Sequence, residues 1–521
     1  ATLSTTDEDT SDSHTYELVS GEGDTDNDSF IIEGNTLKIN SSPDYETKSS
    51  YNIRLKTIDN GGLSYEKAIA LSVNSPDTEQ APKDIFLNVP QFELTTLLDY
   101  FVSPDEYISS ITTGLDGSIF IAGETEISQL REEINQEVQI NNAKEDDFII
   151  KFSPEGEKQW TTLLGPSEDD YFAISSIKTG LDDSIFITGQ TKGESKFIED
   201  GEYYFNTDDV FLTKLSSYGE IKWTQTFGSS EDDDAWAITS AVDGSVYIAG
   251  ETRGDLDGQT NSSSNNNDAF ITKLSADGEN QWTRLIGSTF EDSAESITIG
   301  SDGSIYIAGE TRGDLDGQTN SGKKDAFLSK FSADGEKQWT RLIGSSEDDD
   351  TLAITTGLDG SIYIIGSTEG DIEGEKHSGS NSKQSDSDDA FVSKFSADGE
   401  KQWTRLIGSS EDDDAWAITS GVDGSIYIAG ETQGNLDGQT NSGDDDAFIS
   451  KFSADGYKQW TKLFGSSEGD GAGWLTSGLD EFIKVLHAAW DVDRDDGIKL
   501  YMSKFLDNGN NINENIEAGS V

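Results

Sequence analysis

Residues 415–464 read AWAITS GVDG SIYIAGE TQGNLDGQTNSGDD DAFISKF SADG YKQWTKLF. Short runs rich in β-formers, several with apolar and polar residues alternating, are separated by two Asp-Gly turns and one long Gly/Asp/Asn loop. Alternation of this kind marks a strand with two unlike faces. Asp-Gly between such runs favours a tight hairpin, because the central turn residues take positive φ. The stretch therefore predicts four antiparallel strands, at Ala415–Gly421, Ser425–Glu431, Asp446–Ser453 and Lys458–Phe464. Tight turns join the first to the second and the third to the fourth.

The phrase recurs. Trp460 is the last of six tryptophans in nearly the same setting, after Trp160, Trp223, Trp282, Trp339 and Trp403, at gaps of 63, 59, 57, 64 and 57 residues. Equivalent units begin near Ile108, Ala173, Ala235, Ser293 and Ala353. A period near 60 with four strands per unit is the signature of a β-propeller, one repeat to each blade. A seventh unit is degenerate: Trp474–Leu479, Phe482–Trp490 and Ile498–Leu506 supply three strands and no fourth. Residues 92–98 (FELTTLL) resemble the fourth-strand phrase Gln159–Leu164. A seven-bladed ring over residues 83–509, closed by this N-terminal strand, is expected, since closure removes exposed sheet edges. The phrases DGSIYIAGET and DAFLSKFSADGEKQW resemble the bacterial beta-propeller repeat family over about residues 90–509. That resemblance implies the fold and says little about activity.

Composition narrows the function. The chain has 521 residues, with 36 Lys plus Arg against 101 Asp plus Glu, a formal charge of −65. Such a surface repels nucleic acid and anionic headgroups and attracts divalent cations. Aromatic residues at 10%, with regular alternation, argue against a disordered acidic chain. The absence of cysteine excludes disulfides, thiolate metal sites and thiol catalysis. No run approaches the 18 apolar residues of a membrane-spanning helix. His14, His377 and His487 are scattered, no nucleophile motif surrounds any serine, and no carboxylate pair stands out for acid–base work. The expectation is a protein that is not an enzyme.

Loop alternation sorts the carboxylates. The Asp-Gly hairpins share one face. The other face receives the two–three loops, such as Asp255-Leu256-Asp257-Gly258, and the blade-to-blade crossings, such as Glu231-Asp232-Asp233-Asp234 and Glu411-Asp412-Asp413-Asp414. This face should be strongly negative. It invites calcium, a hard cation that prefers oxygen, although an acidic run also reads as a solvated turn. Asp491-Val492-Asp493-Arg494-Asp495-Asp496-Gly497 is the best single match to a calcium loop, with Asp491, Asp493 and Asp495 as candidate ligands. It is not an EF-hand, because its Gly sits one place late and Met502 falls at position twelve. Trp236 and Trp416, just after acidic crossings, are candidate ligand-contacting aromatics.

Residues 1–82 read as a separate β unit, with strands at Thr15–Val19, Ser29–Ile32, Thr36–Ile39, Tyr51–Ile58 and Lys67–Val73. The stretch resembles a bacterial cadherin-type repeat through Thr6-Asp7-Glu8-Asp9, Pro43-Asp44-Tyr45-Glu46 and Thr57-Ile58-Asp59-Asn60. The resemblance implies Asp7, Asp9, Asp44, Glu46 and Asp59 as calcium ligands. Tyr45 stands where that family has Arg, and Asp77-Thr78-Glu79-Gln80 lacks the two Asn of its closing linker. Residues 510–521 (NNINENIEAGSV) resemble the family's opening strand, with Glu514 at its first calcium-ligating Glu. The fold class expected is all-β: a cadherin-like β-sandwich (1–82), then a seven-bladed β-propeller (83–509), then the first strand of the next sandwich (510–521). The resemblances imply an extracellular or cell-surface structural and adhesive protein that binds Ca2+. Its partners would be further copies of itself, joined head to tail through the C-terminal strand into fibres or tandem arrays. The alternative is a propeller that binds a glycan or protein.

Overall fold

Six times over, four short strands pair into one antiparallel sheet in sequence order. Blade one is Tyr107–Thr113, Ile119–Glu126, Glu145–Phe152 and Lys158–Leu164; blade two is Tyr171–Thr179, Ile185–Lys192, Asp209–Leu215 and Ile221–Phe227. Blade three is Asp233–Ser240, Val246–Thr252, Asp268–Leu274 and Asn280–Ile286; blade four is Asp292–Ile299, Ile305–Thr311, Asp325–Phe331 and Lys337–Ile343. Blade five is Asp349–Thr356, Ile362–Thr368, Asp389–Phe395 and Lys401–Ile407; blade six is Asp413–Ser420, Ile426–Thr432, Asp446–Phe452 and Lys458–Phe464. First strands of successive blades touch one another, so they ring the centre of a β-propeller. The structure is a computed structural model and describes residues 14–21, 24–34, 36–40, 48, 50–58, 64–72, 107–126, 145–154, 157–164, 171–192, 195–197, 203–205, 207–378, 387–465, 469–477, 483–490 and 498–505.

The strands expected from residues 415–464 lie within two residues of those observed. Their burial is different. Ile426–Thr432 is buried at nearly every position and Asp446–Phe452 at all of them, because each blade is sandwiched between two others. The core is accordingly a set of interblade layers. In one of them Tyr363, Ile365 and Val392 of blade five pack with Ile418, Ile428 and Phe448 of blade six.

The tryptophan period has a structural cause. The Trp403 ring lies 5.8 Å from Tyr363 of its own blade, and its Nε1 donates to the Ala454 carbonyl of the next blade at 3.2 Å. Arg405 Nε donates to the Gly456 carbonyl of that same turn at 2.9 Å. Lys394 completes the joint, with its ammonium 5.2 Å from the Tyr363 ring centroid, 3.1 Å from Asp359 and 2.9 Å from the Ala454 carbonyl. One blade earlier, Tyr306, Lys330, Trp339 and Arg341 repeat this set. Trp160, Trp223, Trp282, Trp339 and Trp403 each pack against the glycine of the following blade's third-to-fourth-strand turn.

After blade six comes a three-stranded sheet, Gly469–Ser477, Ile483–Trp490 and Ile498–Phe505. Its first strand touches the first strands of blade six and of blade one, and Thr476 Oγ1 lies 3.1 Å from Thr113 Oγ1. Among the described residues six blades are therefore four-stranded and the last unit has three strands, where seven complete blades were expected. The expected closing strand, 92–98, lies outside the described residues, as do 1–13 and 506–521. Blade two also carries a small hairpin, Ser195–Phe197 with Tyr203–Phe205, that alternation did not predict.

The chain divides into two units, Ala1–Phe92 and Glu93–Val521. The first contains a three-stranded sheet (Thr15–Leu18, Ser50–Ile58, Ser64–Ser72) and a hairpin (Phe30–Glu33, Thr36–Ile39). Phe30, Leu37, Ile53 and Leu55 form its core.

Candidate functional site

At the crossing face, strand ends come level in the pattern Asp-Thr-Asp. In blade four Asp292 stands opposite Thr311, which stands opposite Asp325. Blade three repeats the row as Asp233, Thr252 and Asp268, blade five as Asp349, Thr368 and Asp389, and blade six as Asp413, Thr432 and Asp446. All twelve residues are buried. Between blades the rows are stitched by main chain: Asp292 N donates to the Asn267 carbonyl at 2.9 Å, and Asp349 N to that of Lys324 at 2.9 Å.

The crossing carboxylates Asp233, Asp292, Asp349 and Asp413 therefore do not face water. Asp292 Oδ2 accepts the Ser288 N–H at 2.6 Å, and Asp413 Oδ2 accepts that of Ser409 at 2.5 Å. Each aspartate ties the crossing loop back onto its strand. Burial pushes Asp292, Asp349 and Asp413 up to about 6. The amide and hydroxyl donors oppose that rise, and the third-strand aspartate of the preceding blade adds to it. The second oxygen is poorly served. Asp233, Asp292, Asp325, Asp389 and Asp413 each keep a buried Oδ1 without a hydrogen-bond partner. Thr252 and Thr311 lie close enough to Asp233 and Asp292 to favour ionisation. Their hydroxyl protons, however, go to the carbonyls of Gly254 and Gly313, at 3.2 and 3.1 Å.

Beside this belt lies a half-buried tier. Asp234 pairs in register with Glu251, Ser293 with Glu310, Asp350 with Ser367, and Asp414 with Glu431. Asn267, Lys324, Asp388 and Asp445 precede the third strands of the same blades. Glu295 occupies the first-strand bulge, the place held by Trp236 and Trp416 in blades three and six. Burial and then repulsion from Asp208 and Asp232 push Asp234 up to about 6. Burial with Asp414 and Glu369 pushes Asp388 to about 7, and burial with Asp445 and Asp414 does the same for Glu431. Glu295 stands at about 7 through burial and the nearby Glu251 and Asp350, against Ser293 and Lys324. Glu310 is pushed to about 8 by burial and Asp350, although Lys324 Nζ lies 3.1 Å from its carboxylate. Lys324 also pairs with Asp350. Trp416 is 40% exposed, whereas Trp236 is half-buried with its Nε1 unpartnered.

The two–three loops turned out to be braces. Asp257 accepts from the Thr283 hydroxyl and the Asn280 amide of its own fourth strand, both at 2.5 Å. Asp437 pairs with Lys458 at 2.6 Å, and Leu256, between Asp255 and Asp257 in sequence, is buried. These carboxylates are occupied by the fold. Among the described residues no three His, Asp or Glu gather as a metal-holding group. The expected ligands Asp7, Asp9, Asp44, Glu46, Asp59, Asp491, Asp493, Asp495 and Glu514 all lie outside the described residues. His377 is buried with Nε2 2.8 Å from the Ser387 carbonyl, a structural contact. Sequence reasoning missed the Asp-Thr-Asp belt, although its signal is the repetition of three phrases, Ser-Glu-Asp-Asp, Gly-Glu-Thr and Asp-Ala-Phe.

Residues 281–316 match the family model described as Beta-propeller repeat. The chain is also 31% identical over 214 residues to the Regulatory protein FlaEY of Caulobacter vibrioides, a match covering 38% of this chain and 22% of that protein. The chain thus spans about a fifth of the length of the curated relative it matches. Among solved structures, the β-propeller domain of the Trilobed protease from Pyrococcus furiosus is similar at 11% identity, over 79% of this chain and 98% of that one, with a TM-score of 0.38. The Neurospora crassa Pan2 WD40 domain is similar at 10% identity, over 74% and 86%, with a TM-score of 0.40.

Proposed function

We infer that the propeller is a non-catalytic binding module whose carboxylate-rich end takes up a Lys- and Arg-rich segment of a partner protein. The observation that carries this reading is the half-buried tier, in which Asp234, Glu251, Glu310, Asp388, Asp414 and Glu431 hold repeated places on four adjacent blades. Crowding makes these carboxyls costly to ionise, and an incoming ammonium or guanidinium relieves that repulsion. Exposed Trp416, two residues from Asp414, offers a ring face to the same cations. Raised carboxyl pKa values also suit acid–base catalysis. Repetition favours a ligand that crosses several blades, because a reaction centre requires one set of unlike groups. The name of the Caulobacter relative, a regulatory protein, is in keeping with recognition of a partner.

The test is titration of an oligolysine peptide into the full chain, read by tryptophan fluorescence. Affinity should fall at least about tenfold between about 0.05 and 0.5 M salt, and should weaken in the E310Q/D388N/E431Q variant. Absence of binding at low salt would sink the reading.

The same proposal takes the three-stranded sheet as a seventh blade closed by 92–98, a view supported by the Thr113–Thr476 contact. It takes the N-terminal unit as a cadherin-like sandwich of an extracellular, adhesive protein. Calcium at Asp7, Asp9, Asp44, Glu46 and Asp59 would stiffen that unit, Glu514 would be a ligand in the next sandwich, and Asp491, Asp493 and Asp495 would hold a separate ion in the last propeller unit. The two small sheets over Phe30, Leu37, Ile53 and Leu55 support it. Copies would join through 510–521. Sedimentation of one species in both calcium and chelator would remove the adhesive part of the proposal and leave the peptide-binding part standing.

A further inference from the structure

At the joint between blades four and five, Asp325 and Asp349 are both 0% exposed. Gly344, which directly follows the fourth strand of blade four, packs against Asp325. The point where any other residue would carry its Cβ lies 2.4 Å from Asp325 Oδ1, so the glycine leaves a notch that this oxygen fills. Asp325 Oδ1 is one of the buried oxygens with no hydrogen-bond partner, while Asp325 Oδ2 accepts the Ser321 N–H at 2.8 Å. Across the joint, Asp349 accepts the Ser345 N–H through Oδ2 and the Thr368 hydroxyl through Oδ1, both at 2.5 Å. The groups that act on this pair are amides, hydroxyls and one another, with no Lys or Arg among them.

The arrangement is repeated. At the joint between blades three and four, the corresponding point on Gly287 lies 2.1 Å from Asp268 Oδ1, and the facing Asp292 has an unpartnered Oδ1. Earlier still, a single point on Gly228 lies 2.1 Å from Asp209 Oδ1 and 2.8 Å from Asp233 Oδ2. The joint between blades five and six differs. There His377 Nε2 lies 3.9 Å from Asp389 Oδ1, so that one joint contains a side chain able to become a cation. Two ionised carboxylates in a dry interior, with no opposite charge, demand either protons or an ion.

We propose that the two fully buried joints, flanked by Asp268 and Asp292 and by Asp325 and Asp349, are calcium sites, each ion held by one carboxylate from either blade. Hydroxyl and main-chain oxygens would complete the coordination. Calcium suits the geometry because it accepts irregular all-oxygen sets without retained water. Magnesium keeps several waters and octahedral order, which a carboxylate pair shut off from solvent does not supply. The ions would fasten blade to blade at the crossing face, as the tryptophans do at the hairpin face. This inference is independent of peptide binding, which concerns the half-buried tier.

The experiment counts calcium per chain by atomic emission after dialysis of the full-length protein, for wild type and for D325N/D349N. The expected result is the loss of one ion, together with a melting temperature that no longer falls in chelator as far as that of wild type. D268N/D292N serves the same purpose at the neighbouring joint should the first variant not fold. D388N/E431Q, in the half-buried tier, should keep the wild-type count. Equal counts in wild type and both buried-pair variants would overturn the proposal, as would a wild type that binds no calcium at these joints and simply holds protons there.

Discussion

Gly456 lies against the indole of Trp403, and a Cβ on that glycine would fall 2.7 Å from Trp403 Cδ2. Its φ is +80°, in the left-handed region. The turn of blade six can therefore seat on the tryptophan of blade five only because the residue has no side chain. Gly456→Ala should cost about 2–4 kcal/mol, combining left-handed strain with a displaced joint. Gly424 supplies the control: its φ is also +80°, yet a Cβ there meets nothing within 4 Å. Gly424→Ala should cost only about 1 kcal/mol. Urea unfolding of the two variants separates steric seating from backbone strain, and equal losses would refute the seating argument.

Lys394 is the cation of that same joint, and it is nearly buried. Lys394→Met keeps the aliphatic stem but leaves the Ala454 carbonyl and Asp359 without their ammonium. A loss of about 1–3 kcal/mol is expected at neutral pH. Burial works against the Asp359 carboxylate, but the Ser361 N–H and the Lys394 ammonium more than offset it and hold its pKa below 3.8. A depressed carboxyl contributes stability above its unfolded value and loses it as pH falls further. The deficit of the variant should therefore narrow in acid. A deficit that stays constant down to pH 3 would mean that packing, not charge, is what Lys394 supplies.

The propeller was legible because its signals are local and repeated. The Lys458–Phe464 strand was read with its observed bounds, and the Val422-Asp423-Gly424 turn was placed correctly, although only Gly424, not Asp423, takes the positive φ expected of both central residues. The carboxylates were harder to read. Asp292 and Asp413 stand in acidic runs that look solvated, and only the assembled ring shows that a neighbouring blade covers them. Asp257 and Asp437 looked like cation ligands, but their partners sit on a fourth strand 21 to 26 residues later. Burial by a neighbour distant in sequence leaves no mark on alternation. The phrase repetition that places Asp, Thr and Asp at three strand ends is the one trace it does leave.

The buried acids make the metal-free protein sensitive to base. Asp292, Asp349 and Asp413 are raised from 3.8 to about 6, and Glu295 and Glu431 from 4.5 to about 7. A raised carboxyl favours the fold in its protonated form. Its stabilisation is complete below the unfolded value and is lost as pH rises through the folded one. In chelator, the melting temperature should therefore be higher at pH 5 than at pH 8. The groups held low, among them Asp116, Asp302 and Asp359, act in the opposite sense below about pH 4, so the optimum should fall between the two ranges. A melting temperature that climbs steadily from pH 5 to 8 in chelator would contradict this assignment.

Lys324 is the sharpest point at which to probe the half-buried tier. Its ammonium lies 3.1 Å from Glu310 Oε2 and also pairs with Asp350, while its carbonyl accepts the Asp349 N–H at 2.9 Å. Lys324→Met removes the charge and leaves the main-chain bond. Glu310, already at about 8 with the lysine in place, must then protonate more readily still. The deficit should be small at pH 5 and grow with pH, reaching on the order of 3 kcal/mol where Glu310 ionises. Lys324→Asn copies Asn267, which occupies this position in blade three beside Asp234 and Glu251. It should be milder, because a neutral amide can still donate to either carboxylate. Chemical unfolding of both variants across this pH range decides the matter. If neither deficit depends on pH, Lys324 acts as filler and the tier is not held in balance by its charge.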